Sequence, residues 1–136
     1  MSPAPPPGEQ PFFGIRLDPE SVLVAQINDQ IVGYVALGNS SPLRSRRHVL
    51  DVRSIAVDPA HLRKGVGRRL LEEAIEEARR RGAHKLALRV LSTNEPARGL
   101  YHTCGFVIEG NLRDEYRLEG QYVDDVLMAH PLTRSV

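Results

Sequence analysis

"VDPAHLRKGVGRRLLEEAIEEARRRG", residues 57–82, leaves an apolar, strand-like segment, passes a turn with two glycines and several cations, and enters a long charged helix. Val66, Leu70, Leu71, Ala74, Ile75 and Ala78 recur at helical spacing and predict one apolar stripe. Glu76–Arg80 and Glu77–Arg81 stand four apart on the other face, acid before base, which is the favourable order. Gly82 occupies the C′ position that ends such a helix. At the helix mouth, Gly65 and Gly67 remove side chains. Either they ease a tight strand-to-helix turn, or they bare backbone amides for an anion such as phosphate. Glycine in a first turn costs about 1 kcal/mol relative to alanine, a cost that a bound ligand would offset. Arg63, Lys64, Arg68 and Arg69 would supplement the helix dipole there.

The chain of 136 residues fits one domain with a real core. A hydrophobic share of 41% with 26% charged residues is that of an ordinary globular protein. A net charge of +1 and the lack of tryptophan give no case for nucleic acid as main partner. The N-terminus "MSPAPPPGEQP" has neither a basic start nor an apolar stretch, so it does not read as a signal peptide. "IVGYVALG" is far short of the ~20 residues that span a bilayer. One cysteine, Cys104, excludes an internal disulfide, and a cytoplasmic setting is expected. His48, His61, His84, His102 and His130 show no metal-ligand spacing, so no metal is expected.

Residues 1–20 hold six of the ten prolines and read as an extended arm, followed by one domain over residues 21–132. "VLVAQI" and "IVGYVAL" predict an antiparallel hairpin, and "VLDVRSIAV" a third strand. "SSPLRSRRH" between them reads as a solvated basic loop. "KLALRVL" is nearly continuous in apolar residues, which predicts a central parallel strand buried on both sides. "STNEPARGLYHTCG" predicts a second helix, capped by Asn94, with Pro96 in its first turn and Gly105 at its end. Its inward stripe is Ala97, Leu100, Tyr101 and Cys104. "FVIEG" and "YVDDVLMA" complete six strands, joined by the polar "NLRDEYRLEGQ". The fold class is α/β (α+β).

Two phosphate motifs fail at the glycine turn. The Walker pattern needs Ser or Thr after Gly-Lys, and the dinucleotide fingerprint needs a third glycine that "GVGRRL" lacks. "IAVDPAHLRKGVGRRLL" instead resembles the pyrophosphate-binding motif of the GNAT superfamily, the acyl-CoA-dependent N-acetyltransferases. "NEPARGLYHTCGF" is similar to that family's N-x-x-A-x-x-L-Y-x-x-x-G-F segment, in the right order and about thirty residues on. The resemblance covers about residues 22 to 130.

The resemblance implies a mixed, mainly antiparallel sheet with flanking helices, its N-terminal portion shortened. It implies a parallel strand pair, "VLDVRSIAV" and "KLALRVL", that splays apart to admit the pantetheine arm of acetyl-CoA. Ile55, Ala56 and Val57 would then pair with that arm through their backbone. The amides of Arg63, Lys64, Gly65, Val66, Gly67 and Arg68 would hold the pyrophosphate, Asn94 would contact the arm, and Tyr101 would sit beside the thioester sulfur. Leu62 departs from the family, which has Gln or Arg three residues before the first glycine. The implied activity is direct transfer of acetyl to a primary amine: a small amine, an amino acid or a protein N-terminus. The alternative is an acyl-CoA-binding regulatory module with weak or no catalysis, which Leu62 and the short N-terminal portion keep open. A homodimer would cover the uncovered sheet.

An alkylamine of pKa about 10.4 must lose a proton before it attacks, at roughly 4–5 kcal/mol at pH 7; an α-amine needs only about 1 kcal/mol. Asp51 is the preferred base, on the same strand face as Arg53, Ile55 and Val57 by alternation. The other reading makes it a carboxylate paired with Arg53 or with the basic loop. Asp124 and Asp125 are rivals that shape the acceptor pocket. The Val57 amide suits the developing oxyanion, and Tyr101 suits protonation of the leaving thiolate. Cys104 reads as packing, because no His–acid arrangement marks it as a nucleophile.

Overall fold

The computed structural model describes residues 14–17, 19 and 21–132. One seven-stranded sheet carries the order β1-β2-β3-β4-β5-β7-β6. Its strands are β1 (Gly14–Leu17), β2 (Val22–Ile27), β3 (Gln30–Gly38), β4 (Val49–Val57), β5 (Lys85–Leu91), β6 (Val107–Leu118) and β7 (Gln121–Pro131). All neighbours are antiparallel except β4 and β5. The helices are α1 (Val66–Arg80) and α2 (Glu95–Thr103).

Helix α1 buries Val66, Leu70, Leu71, Ala74, Ile75 and Ala78, the whole of the expected stripe. They join Leu23, Ala25, Val35 and Leu37 of the first hairpin and Leu86, Leu88 and Val90 of β5 in one core. At roughly 25 cal/mol per Å2 of apolar area removed from water, this face supplies most of the helix's stability. Gly82 closes α1 in a Schellman arrangement: Gly82 N–H donates to Arg79 O, and Ala83 N–H to Ala78 O, both at 3.0 Å. Glu77 pairs with Arg81 as expected and also with Arg80. Glu76 takes Arg79 at i+3 instead of Arg80, which is already held by the more buried Glu77.

Three expectations need correction. The segment 14–17, expected in the extended arm, pairs antiparallel with β2 as an edge strand; residues 1–13, 18 and 20 of that arm lie outside the described residues. The polar "NLRDEYRLEGQ" is not a loop. Most of it continues β6, because an edge strand needs hydrogen bonds on one side only and tolerates a solvated surface; the seventh strand, where six were expected, is β1. Strand β5 is central but buried on one face alone: Leu86, Leu88 and Val90 point into the core, whereas Arg89 is exposed. Among the described residues, no helix lies on that second face.

Candidate functional site

Strands β4 and β5 pair at Val49↔Lys85, Leu50↔Leu86 and Asp51↔Ala87, and the pairing stops there. Beyond that point a cavity of about 300 Å3 opens between them, lined by residues 52–55 and 88–91 with Asn94 and Tyr101. Asp58 N–H donates to Val32 O at 2.8 Å, and Ala56 stands opposite Tyr34. Alternation therefore turns the backbone groups of Ile55 and Val57 toward the gap and those of Ala56 toward β3. Two of the three residues expected to offer backbone to a cofactor arm can do so. Ala56 cannot.

At the far end of β4 the chain makes a short 3-10 turn, Pro59–His61, capped by Asp58 Oδ1 accepting from Ala60 N–H at 2.9 Å. Arg63 and Gly65 then take left-handed backbone, with φ of 64° and 80°. The glycine accepts this without strain; Arg63 does so at a cost of about 1–2 kcal/mol. Gly67 has a different reason. A Cβ there would lie 3.2 Å from Leu100 Cδ2, so its absence lets α1 approach α2. Both glycines thus have structural reasons of their own, and the case for a ligand rests on the amides. Among the described residues, none of the amides of residues 63–68 donates a hydrogen bond. Of the four nearby cations, Arg68 and Arg69 pair with Glu72 and Glu73 on α1's exposed face, at 3.2 and 3.4 Å. Such pairs are weak and readily exchanged for a ligand. Arg63 and Lys64 make no ion pair among the described residues. An amide-lined helix mouth with two free cations fits a diphosphate.

Tyr101 is positioned by the end of its helix. Asn94 Oδ1 caps α2 by accepting from Ala97 N–H at 3.3 Å, and it lines the cavity at the same time. At the other end Phe106 N–H donates to Tyr101 O and Gly105 N–H to His102 O, again a Schellman closure. That closure folds the fully buried Phe106 back beneath Tyr101, with ring centroids 5.9 Å apart. Tyr101 is buried, and burial pushes its phenol above the usual pKa. It therefore stays protonated through neutral pH, and its hydroxyl has no protein partner among the described residues. Cys104, in the same stripe, is likewise raised by burial, with the Arg68 charge working the other way; a thiol so placed packs and does not attack.

Asp51 departs from its expected setting. A bulge at Arg53 separates the pairs Ala36↔Ser54 and Leu37↔Val52. It reverses the side-chain alternation, so that Leu50 and Val52 before it and Ile55 and Val57 after it all pack on the helix side. Asp51 thus lies on the opposite face from Ile55 and Val57. There Arg46 of the basic loop grips it with both guanidinium nitrogens, Nη1 to Oδ2 at 2.7 Å and Nη2 to Oδ1 at 2.9 Å. Ser40 N–H adds a third bond at 2.9 Å. Burial works to raise the Asp51 pKa, but the Arg46 fork and the Ser40 amide outweigh it and hold it below the ordinary value. A carboxylate held this way is a weak base, so its pairing with the basic loop replaces the reading as general base.

The folded pKa of Asp51 is lower than the unfolded one, so the stabilisation is complete above about pH 5 and is lost as pH falls through the depressed value. Asp51→Asn should therefore be less stable than wild type at pH 7, and the difference should begin to shrink as pH falls below the ordinary carboxylate value of 3.8. Urea denaturation at several pH values checks this; a difference that grows as pH falls from 7 would contradict it.

Asp124 and Asp125 have separate duties. Asp124 accepts from Asn111 Nδ2 and Asp114 N–H, both at 2.9 Å, which lowers its pKa and shapes the kinked β6–β7 ribbon. Asp125 is buried against Arg89 at 3.0 Å. A second cavity of about 500 Å3 lies on the helix-free side of the gap, lined by Arg46, Asp51, Arg53, Lys85, Arg89 and Glu109 among others. The two cavities share Val52, Arg53, Leu88 and Arg89 and so meet at the split. Sequence reasoning missed the arginines at this junction, because an arginine alternating with apolar residues reads as a solvated strand face.

Over residues 2–106 the chain matches the Acetyltransferase (GNAT) family. It belongs to that family. It is 33% identical over 107 residues to the L-methionine sulfoximine/L-methionine sulfone acetyltransferase of Salmonella typhimurium, covering 79% of this chain and 62% of that protein. It is 39% identical over 80 residues to the [ribosomal protein bS18]-alanine N-acetyltransferase of Escherichia coli, covering 59% and 54%. The chain thus spans less than two thirds of the length of these relatives. A putative acetyltransferase from Salmonella typhimurium, solved with its cofactor acetyl-CoA, superposes with a TM-score of 0.78 at 31% identity, covering 85% of this chain and 66% of the other. The GNAT sheet, with its single splayed parallel pair, is the sheet described above.

Proposed function

We propose that this protein is an N-acetyltransferase that moves an acetyl group from acetyl-CoA to a primary amine by direct attack on the thioester. The observation that carries this reading is the parallel pair β4–β5, which parts beyond Asp51↔Ala87 with unpartnered amides at one end and a protonated Tyr101 at its side. The diphosphate fits the amides of Arg63, Lys64, Gly65, Val66, Gly67 and Arg68. The pantetheine fits the gap, against the backbone of Ile55 and Val57, with Asn94 beside it. Acetyl-CoA supplies the activated acyl carbon; the remaining work falls to the chain.

The amine enters from the larger cavity and meets the acyl carbon at the split. Val57 N–H donates to the carbonyl oxygen as it gains charge. Tyr101 gives its phenolic proton to the departing sulfur as the carbon–sulfur bond breaks, and regains one from solvent. The amine's own proton leaves to water, since Asp51 is engaged by Arg46. This arrangement suits an acceptor whose amine gives up its proton at lower cost: a peptide N-terminal α-amine, of pKa about 7.7–8, is partly neutral at pH 7–8, whereas an alkylamine of about 10.4 is almost wholly protonated. α-Amines are therefore favoured over alkylamines as acceptors.

Release of CoA thiol from acetyl-CoA with a panel of amines tests the activity. Turnover with α-amines above that with alkylamines is expected; tight CoA binding without transfer to any amine would favour a binding module. Asp51→Asn should keep kcat within about tenfold of wild type, whereas loss of a general base lowers it about 10²–10⁴-fold; a drop of that size would return the base role to Asp51. A homodimer in the reducing cytoplasm belongs to the same proposal. Exposed Val107, Ile108, Leu118 and Tyr122 on the last hairpin support association, and light scattering reads the mass directly.

A further inference from the structure

Three ion pairs ring the larger cavity, and one cation is left over. Arg46 is held by Asp51 at 2.7 Å, Lys85 by Glu109 at 2.8 Å and Arg89 by Asp125 at 3.0 Å. Arg53 lines the same cavity and, among the described residues, has neither an ion pair nor a hydrogen bond. It is the extra residue of the β4 bulge, which turns it out of the ladder. Its stem lies over Gly38, where an added Cβ would come within 2.8 Å of Arg53 Cδ. Arg53 also lines the smaller cavity that holds Asn94 and Tyr101. An unanswered guanidinium therefore stands at the split where the acyl carbon and the amine must meet.

A guanidinium in a concave site with its neighbours already neutralised selects a planar anion, and a carboxylate matches its two-pronged geometry. We propose that Arg53 binds the α-carboxylate of the acceptor, so that the acceptor is a free α-amino acid and not the first residue of a polypeptide. In a free amino acid one carbon separates carboxylate from amine. Anchoring the first beside the gap leaves the second facing the acyl carbon. In a polypeptide that carbon carries a neutral amide, and Arg53 would remain unmatched. The bond changes are those of the transfer itself: nitrogen–carbon forms, carbon–sulfur breaks, one proton leaves the amine for water and one reaches the sulfur. The inference rests on the acetyltransferase reading and narrows it.

The test compares kcat/KM for a set of L-amino acids and their carboxamides, in wild type, Arg53→Ala and Arg53→Lys. Wild type should favour the acids. Arg53→Ala should lower the acid-to-amide ratio by about 10–100-fold, mainly through KM, with partial rescue by lysine. Calorimetric binding of an N-acetyl amino acid in the presence of CoA should weaken in parallel, while the melting temperature of this exposed-site variant stays put. Equal losses for acid and amide would overturn the proposal. So would a wild type that prefers amides or peptide N-termini, an outcome that leaves the acetyltransferase reading standing. Failure of the wild type to acetylate any amine would remove both.

Discussion

Replacing Tyr101 by phenylalanine is expected to lower kcat by about 10²–10⁴-fold while leaving the Kd for CoA within about twofold. The ring fills the same volume and keeps its contact with Phe106, so the cavity wall and the α2 closure survive. What disappears is one proton, held by a phenol that burial keeps neutral. Without it, the sulfur must leave as a bare thiolate or wait for water to reach a half-enclosed gap. Because the hydroxyl has no protein partner among the described residues, its loss should cost little stability. Equal losses in turnover and in CoA affinity would show that Tyr101 binds and does not donate. A second signature lies in the pH profile: Tyr101 should impose no loss of turnover across neutral pH, since a raised phenol pKa places its deprotonation above the ordinary value of 10.0.

Phe106→Ala should destabilise the fold by about 3–5 kcal/mol, the usual cost of truncating a fully buried phenylalanine. Phe106 is 0% exposed, wedged between Tyr101 and the edge of His130, with centroids 5.9 and 5.6 Å away. The cavity opens directly under the tyrosine, so the melting point should fall by on the order of 10 °C and kcat with it. Phe106→Leu separates the two effects: it keeps most of the apolar volume, so stability should largely recover. A thermal shift of only a degree or two for the alanine variant would mean that the α2 closure does not depend on this ring.

The α1 stripe, both helix ends and the parallel pairing of β4 with β5 were readable in the sequence, since each depends on residues close together or on one clean period. The turn itself was equally legible, since two glycines between a strand and a helix mark a tight change of direction, although each glycine also has a local structural reason. Three features were left unsettled by the sequence for a common reason. The bulge at Arg53 carries no local mark, since "DVRSIAV" alternates as well with it as without it, yet it moves Asp51 to the other face. Pairing of Asp51 with the basic loop was one of the readings left open, but the arginine that makes it, Arg46, rests on a contact that no spacing encodes. Strand β6 is polar because it is an edge, and polarity alone reads as a loop. The proposed acceptor side lies among these three features, while the proposed acetyl-CoA side lies on local motifs. That difference is why the sequence speaks to the proposed donor side more than to the acceptor side.

The most direct measurement is amide NMR on isotope-labelled protein titrated with CoA. Large shifts confined to the amides of residues 63–68, together with Ile55 and Val57 and with Ala56 moving less, are the expected result. If those resonances stay still while CoA binds elsewhere or not at all, the diphosphate is not held by this turn, and the assignment of the site to acyl transfer is contradicted.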